Sequence, residues 1–265
     1  MEKIDVLDKG YVRLVNHMGS DLDVVNAARA SFQKESEFVK KCTKHEVEFV
    51  SFCPKCGKDD YALFKNGHTE GLSKSDKGLI NYLAKNNHMS PFRHAFATFE
   101  IKAPLMVARQ WWKYVVGSDH TMDGWNEVSR RYVTMKPEFY VPSQFRGQPE
   151  NKKQGSVPLV GHIGQGYWET ELEEHISQSI KLYNKVIAEG MCAEQARLFL
   201  PAYAMYTIWR WSASLQSIAW FLHQRLADDA QVEIQEYAKA VETLIRPKFP
   251  YSIEALLNEQ TTTGN

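Results

Sequence analysis

Long apolar runs are missing from this chain, and so are the common phosphate cradles. No stretch approaches the ~18 consecutive apolar residues of a membrane-spanning helix. Neither a P-loop nor a GxGxxG fingerprint is present, and no Gly-x-Ser-x-Gly elbow offers a serine nucleophile. Net charge is also absent: 32 Lys and Arg balance 32 Asp and Glu, so any anion site must be local. No global field gathers nucleic acid or a membrane surface, and neither is expected as a partner. Cysteine is scarce, with 4 in 265 residues, which does not make a secreted disulfide framework. The opening MEKIDVLDKG is charged and unlike a signal peptide, so a cytoplasmic location is expected. No internal repeat or heptad occurs.

What is present is an ordinary globular composition, 43% hydrophobic and 24% charged, in a chain long enough for a real core. The densest chemistry lies in RQWWKYVVGSDHTMDGWNEVSRRY, residues 109–132. Arg offers a planar fork that suits phosphate, Ser and Glu can read the amide edges of a base, and Trp gives a flat stacking surface. A surface helix laced with charge and anchored by Trp is the plainer alternative.

Along the chain, YVRLVNHM reads as a short strand, and Asp21 can cap a helix through DLDVVNAARASF. SDKGLINYLAKNNH reads as a helix, followed by the Pro-punctuated turn His88-Met-Ser-Pro-Phe-Arg-His94. Ala95, Ala97, Phe99, Ile101 and Ala103 alternate as one face of a strand. Pro104 then opens a helix, PLMVARQWWKYVV to Val116, carrying Arg109, Gln110 and Lys113. Residues 133–161 are rich in Pro, Gly and Lys and read as a long surface excursion or lid. Leu172, Ile176, Ile180, Tyr183 and Ile187 mark an amphipathic helix ending at Gly190. Next come a short helix presenting Arg197 and a strand with Tyr203, Met205, Thr207, Trp209 and Trp211 on one face. SASLQSIAWFLHQRL is a helix with Ser214, Gln216 and Ser217 at its start, where free N–H groups suit a phosphate or carbonyl, and Arg225 near its end. The last long helix turns Ile234, Ala238, Val241 and Ile245 inward, and the tail from Asn258 is expected to fray.

Residues 33–75 stand apart, being polar and without sustained periodicity. Cys42-Thr-Lys-His45 precedes Cys53-Pro-Lys-Cys56-Gly57, a knuckle with Gly where the backbone bends back. Cys42, His45, Cys53 and Cys56 make a Cys3His set with zinc spacing, and a closed structural site would let a coreless insertion fold. His68 is a substitute ligand, and a redox-active or idle CxxC is the alternative. Cys192, with no His near it in sequence, reads as buried bulk and not as a nucleophile.

Together NAARASF, the His-x-Ser-Pro-Phe-x-His turn, KAPLMVARQWW, NEVSRRY, RLFLP and FLHQRLADDAQVEIQEYA resemble, in family order, the flavin-dependent thymidylate synthases. They cover nearly the whole chain outside 33–75 and 133–161. The resemblance implies one α+β domain over residues 1–265, an antiparallel sheet packed with helices, carrying the zinc-knuckle-like insertion. It implies a homotetramer that binds FAD and transfers methylene from 5,10-methylenetetrahydrofolate to C5 of dUMP, with NADPH as reductant and no cysteine nucleophile. By similarity Arg225 is catalytic, holding the uracil edge and favouring ionisation at N3. Gln110, Trp111, Trp112, Lys113, Glu127, Val128, Ser129, Arg130, Arg131 and Arg197 fall on dUMP-binding positions. Ser90, Lys113, Tyr114, Val115, Glu127, Ser214, Leu215, Gln216 and Trp220 fall on FAD-binding ones. The family's usual Arg-His-Arg is here Lys113-Tyr114-Val115, with His120 in the inserted GSDHTMDG a candidate replacement. Two rivals are carried forward: a zinc-knuckle nucleic-acid-binding protein, and a nucleotide-binding relative without flavin activity.

Overall fold

The computed structural model describes residues 2–59, 61–62, 70–114, 124–128, 136–150, 155–159 and 164–260. Strands β1 (Lys3–Val6) and β2 (Gly10–Met18) form a hairpin, and helix α1 (Asp21–Arg29) follows. The insertion holds three short strands, β3 (Lys40–Cys42), β4 (Glu48–Phe49) and β5 (Tyr61–Ala62). Helix α2 (Lys74–Lys85), strand β6 (Phe96–Pro104), helix α3 (Leu105–Trp111) and strand β7 (Gly124–Glu127) come next. A small pair, β8 (Arg146–Gly147) and β9 (Val157–Pro158), precedes the long helix α4 (Gln165–Ala188) and the single turn α5 (Ala193–Ala196). Strand β10 (Tyr206–Ser214) and helices α6 (Leu215–Arg225), α7 (Val232–Ile245) and α8 (Pro250–Gln260) complete the chain.

The main sheet is antiparallel with strand order β1-β2-β6-β10-β7. Its faces follow the strand period of two. Phe99 lies opposite Trp211 and Ile101 opposite Trp209, and these side chains are buried in the core with Tyr237 of α7 and Phe221 of α6. The other face is polar: Glu100 accepts from Tyr11 at 3.0 Å and pairs with Arg13 at 2.7 Å. Thr98 and Ser212 hydroxyls bond at 2.8 Å. Gly10 lets α7 approach closely, since a Cβ there would meet the Tyr237 hydroxyl at 1.9 Å.

The expected mixture of helix and antiparallel sheet is observed. The five inward side chains of the strand at 95–103 and the four of the last long helix are all buried. Some local readings are corrected. Asp21 does not cap its own helix; its buried carboxylate accepts the backbone N–H of Tyr251 and of Ser252, each at 2.9 Å. It therefore caps α8, a helix that local patterning did not reveal and that carries chain order beyond Asn258 to Gln260. Asp21→Ala is expected to lower global stability by about 1–2 kcal/mol, read as a lower denaturant midpoint at unchanged slope. Tyr203 and Met205 are not on the strand, because Ala202–Ala204 forms a 3-10 turn and pairing starts at Tyr206. Helix α3 stops at Trp111, shorter than the run to Val116 that its pattern suggested. Residues 136–150 are more than a surface excursion: Phe139 and Tyr140 are buried, and Tyr206 N–H bonds to Glu138 O at 2.8 Å. Among the described residues no helix is long and apolar enough to cross a membrane.

Candidate active site and metal centre

Pro104 ends β6 and launches α3, whose inner face buries Val107, Ala108 and Trp111. Trp111 stacks on Phe221 at 4.2 Å and meets Trp209 and Trp211 edge-on at 5.6 and 5.4 Å. Its ring is fully buried, so its side chain serves the core and has no surface to give a nucleotide. Trp111→Ala is expected to cost about 3–5 kcal/mol of stability. Calorimetric unfolding checks this, and a selective loss of nucleotide affinity at unchanged stability would contradict it. Trp112, in contrast, is exposed and stacks on Trp125 at 6.3 Å, which in turn stacks on Trp209 at 4.8 Å.

The outer face of α3 borders a cleft of about 820 Å³. Gln110, Arg146, His223, Arg225, Gln231 and Glu233 are among its lining residues. Arg225, in the last turn of α6, rests its guanidinium 5.3 Å from the centre of the Tyr114 ring. Burial pushes the Tyr114 phenol up, against the opposing pull of the Arg225 charge. Arg225 Nε is buried without a hydrogen-bond partner among the described residues, an unusual state for so polar an atom. The cleft floor is held by Glu233 of α7. Its carboxylate accepts Arg146 Nη2 at 2.6 and 2.7 Å, Gln231 Nε2 at 2.8 Å and the Tyr140 hydroxyl at 3.2 Å. Burial pushes this carboxyl up, but the bonds from Arg146 and Gln231 outweigh it and hold the pKa below the usual carboxylate range.

A second polar focus forms where α6 begins. Ser214 is buried and accepts the Ser217 N–H at 3.3 Å as the helix cap, while Leu215 is core. The 3-10 turn Ser90–Arg93 is tied there by Arg93 Nε donating to Gln216 Oε1 at 2.8 Å, and Ser90 is exposed beside it. Hydroxyl, amide and guanidinium at a helix N-terminus form a donor set that fits an anionic phosphate group. Trp220 is half-buried and packs against His223 at 5.8 Å. Lys113 is exposed, and Glu127 on β7 accepts the Thr207 hydroxyl at 2.7 Å. Val128 is exposed with its N–H on Ile208 O at 2.8 Å. Arg197 sits on the 3-10 turn Arg197–Phe199, and its buried Nε likewise lacks a partner among the described residues. Val115, Ser129, Arg130, Arg131, His120 and His68 lie outside the described residues.

The structure thus brings Gln110 and Arg225 to one cleft with Tyr114 behind them, and gathers Ser90 and Gln216 at another focus. Arg146, Gln231 and Glu233 were not singled out from the sequence. The usable signal was Glu233 beside the inward Ile234: a carboxylate near a core face needs a cation, and only the fold reveals that Arg146 is that cation.

In the insertion, His45 Nδ1 lies 3.6 Å from both Cys42 Sγ and Cys53 Sγ, and Cys42 Sγ lies 3.9 Å from Cys56 Sγ. All four donor atoms fall within 4.8 Å of one another. Tetrahedral zinc with Zn–S about 2.3 Å and Zn–N about 2.0 Å requires S···S near ~3.8 Å and S···N near ~3.5 Å, so the donors fit such an ion. Backbone N–H groups of His45 and Lys44 favour the Cys42 thiolate and lower its pKa. Gly57 takes the positive φ of 68° that closes the knuckle. Among the described residues the buried apolar cluster here is Cys42, Phe49 and Cys53 with Cys56 packed against it, too small to hold a module by itself. The base is clamped by the Val39–Gly71 bridge, and Glu48 accepts the N–H of Lys74 at the start of α2.

An antiparallel sheet flanked by helices, with Arg146 and Arg225 lining one polar cleft, defines an α+β protein with a candidate ligand site. The match to the Thymidylate synthase complementing protein family (Thy1), over residues 13–251, makes the class specific. A flavin-dependent thymidylate synthase from Thermotoga neapolitana is 33% identical over 256 residues, 96% of this chain and 94% of that relative. One from Thermosipho africanus is 32% identical over 252 residues, 95% and 92% respectively. The chain belongs to the flavin-dependent thymidylate synthase family. Among solved structures, the UMP/dUMP methylase PolB from Streptomyces cacaoi, bound with 5-Br dUMP, superimposes with TM-score 0.68 at 25% identity, covering 96% of this chain and 97% of that one.

Proposed function

We propose that this chain catalyses FAD-dependent reductive methylation of dUMP to dTMP, with 5,10-methylenetetrahydrofolate as methylene donor and NADPH as reductant. The observation that carries the reading, beside family membership, is the buried, unpartnered Nε of Arg225 at the cleft. A guanidinium stays charged at any working pH and stabilises negative charge as it develops on a uracil edge. Ionisation at N3 enriches C5 with electrons, and C5 then accepts the methylene without attack by an enzyme thiol. Three of the four cysteines sit in the insertion, and Cys192, expected to be buried, is instead exposed at the start of α5; none of them lines the cleft. FAD, when bound, would supply the hydride that completes the methyl group. Ser90, Lys113, Tyr114, Val115, Glu127, Ser214, Leu215, Gln216 and Trp220 are the segments proposed to hold it, Ser214 and Leu215 through their backbone. Trp112, Lys113, Glu127, Val128, Ser129, Arg130, Arg131 and Arg197 are the residues proposed to bind the nucleotide, Ser129 and Arg131 through its phosphate.

The reading includes a structural zinc on Cys42, His45, Cys53 and Cys56, and a homotetramer in the cytoplasm, where its phosphorylated substrates are found. The tetramer is supported by α4 and the turns that follow α5. Tyr167, Trp168, Leu182, Leu198 and Tyr203 are all exposed in one protomer, and a helix of this amphipathicity needs a partner surface. The deciding assay is dTMP formation from dUMP. Turnover that needs FAD, the folate and NADPH together fits the proposal. Nucleotide binding without turnover under full reconstitution would turn it toward a binding relative that lost its flavin chemistry.

A further inference from the structure

A hydrogen-bonded chain of side chains runs along one wall of the cleft, from Glu233 through Gln231 to Gln110. Glu233 is buried and accepts two bonds from Arg146 Nη2 at 2.6 and 2.7 Å, which keep it ionised. An ionised carboxylate can only accept, so Gln231 turns its NH2 toward Glu233 Oε2, at 2.8 Å. The other end of the Gln231 amide is then its carbonyl oxygen, which accepts from Gln110 Nε2. Gln110 Nε2 also donates to Met106 O at 3.3 Å within its own helix. Both N–H donors of Gln110 are therefore used inside the protein. Its carbonyl oxygen is left as the polar atom without a bond among the described residues. In a neutral network each amide could flip with little penalty; the charge on Glu233 removes that freedom.

We infer that Glu233 is a positioning residue: through Gln231 it fixes Gln110 so that this wall offers a hydrogen-bond acceptor and takes a donor of the bound nucleotide. The inference rests on the dUMP reading above. In bound dUMP before ionisation at N3, the pyrimidine N3–H and the sugar 3′-hydroxyl are the two donors that such a ligand can present. Glu233 itself touches no ligand in this scheme.

The test is equilibrium binding of dUMP to the FAD-loaded protein, beside one analogue lacking the 3′-hydroxyl and one methylated at N3. The parent protein should bind one of the two at least ~10-fold more weakly than dUMP, which identifies the donor. Glu233→Gln keeps the shape but removes the polarity signal, and most of that discrimination should vanish while flavin absorption is retained. Glu233→Asp keeps an acceptor-only group and should restore it in part. Gln231→Met breaks the chain without touching the Arg146 pair and should reproduce the Glu233→Gln result even if that variant fails to fold. Equal weakening of dUMP and both analogues in the variants is what a merely structural role produces, and it overturns the inference. So does full discrimination in Gln231→Met, or a parent protein that discriminates against neither analogue. A parent protein that binds flavin but no dUMP overturns the proposed function itself, and shows as such before any variant is made.

Discussion

Arg225→Ala is expected to reduce dTMP formation by about 10³-fold or more while leaving flavin bound. The magnitude follows from removing a preorganised electrostatic stabiliser, which typically costs 10²–10³, together with the lost positioning of the base. The selectivity follows from where Arg225 sits. Its guanidinium lies on the cleft with Gln110 and His223 and meets the proposed flavin set at Tyr114, whereas the part of that set at the α6 N-terminus, with Gln216 and Ser90, is at the other end of the same helix. Arg225→Lys keeps a charge but loses the planar fork, so it should recover only part of the activity. The measurements are single-turnover methylation and the flavin spectrum of each variant. Near-normal turnover in Arg225→Ala would remove Arg225 from the chemistry.

Metal removal is the second large effect. The purified protein is expected to carry one zinc per chain, and Cys53→Ser with Cys56→Ser should abolish it. For structural zinc the binding free energy is also folding free energy, about 10–16 kcal/mol in small modules. The Cys42–Phe49–Cys53 cluster cannot replace that, so limited proteolysis should cut the metal-free insertion rapidly. The body should stay folded, since its core of β6, β10, α6 and α7 is built from other residues. Flavin absorption should persist. A parent protein free of metal that gains no thiolate-to-metal charge-transfer band with Co2+ would contradict the zinc assignment.

Elements whose cause is local were legible in the sequence. The alternation through 95–103 and the helical spacing of Ile234, Ala238, Val241 and Ile245 report burial directly, because strand and helix periods impose it. The knuckle residues were legible because a metal site compresses its requirement into short spacings. What failed was decided by partners far along the chain. Asp21 looked like a cap for its own helix but serves α8, more than two hundred residues away. Trp111 and Trp112 both read as flat surfaces for a ligand ring; packing turned one ring into the core and left the other exposed. The segment at 124–127, for which a surface helix was the plainer reading, is an edge strand paired to β10. Glu233 and Arg146 escaped notice because each is an ordinary charge until the fold joins them across 87 positions.

The central claim is most directly tested by the absorbance spectrum of the purified protein before and after dUMP and NADPH. Bound flavin that NADPH bleaches is expected, with dUMP changing the spectrum or the rate of bleaching. A colourless protein that FAD cannot reconstitute would contradict it, and would mean that Lys113-Tyr114-Val115 has cost this chain its cofactor.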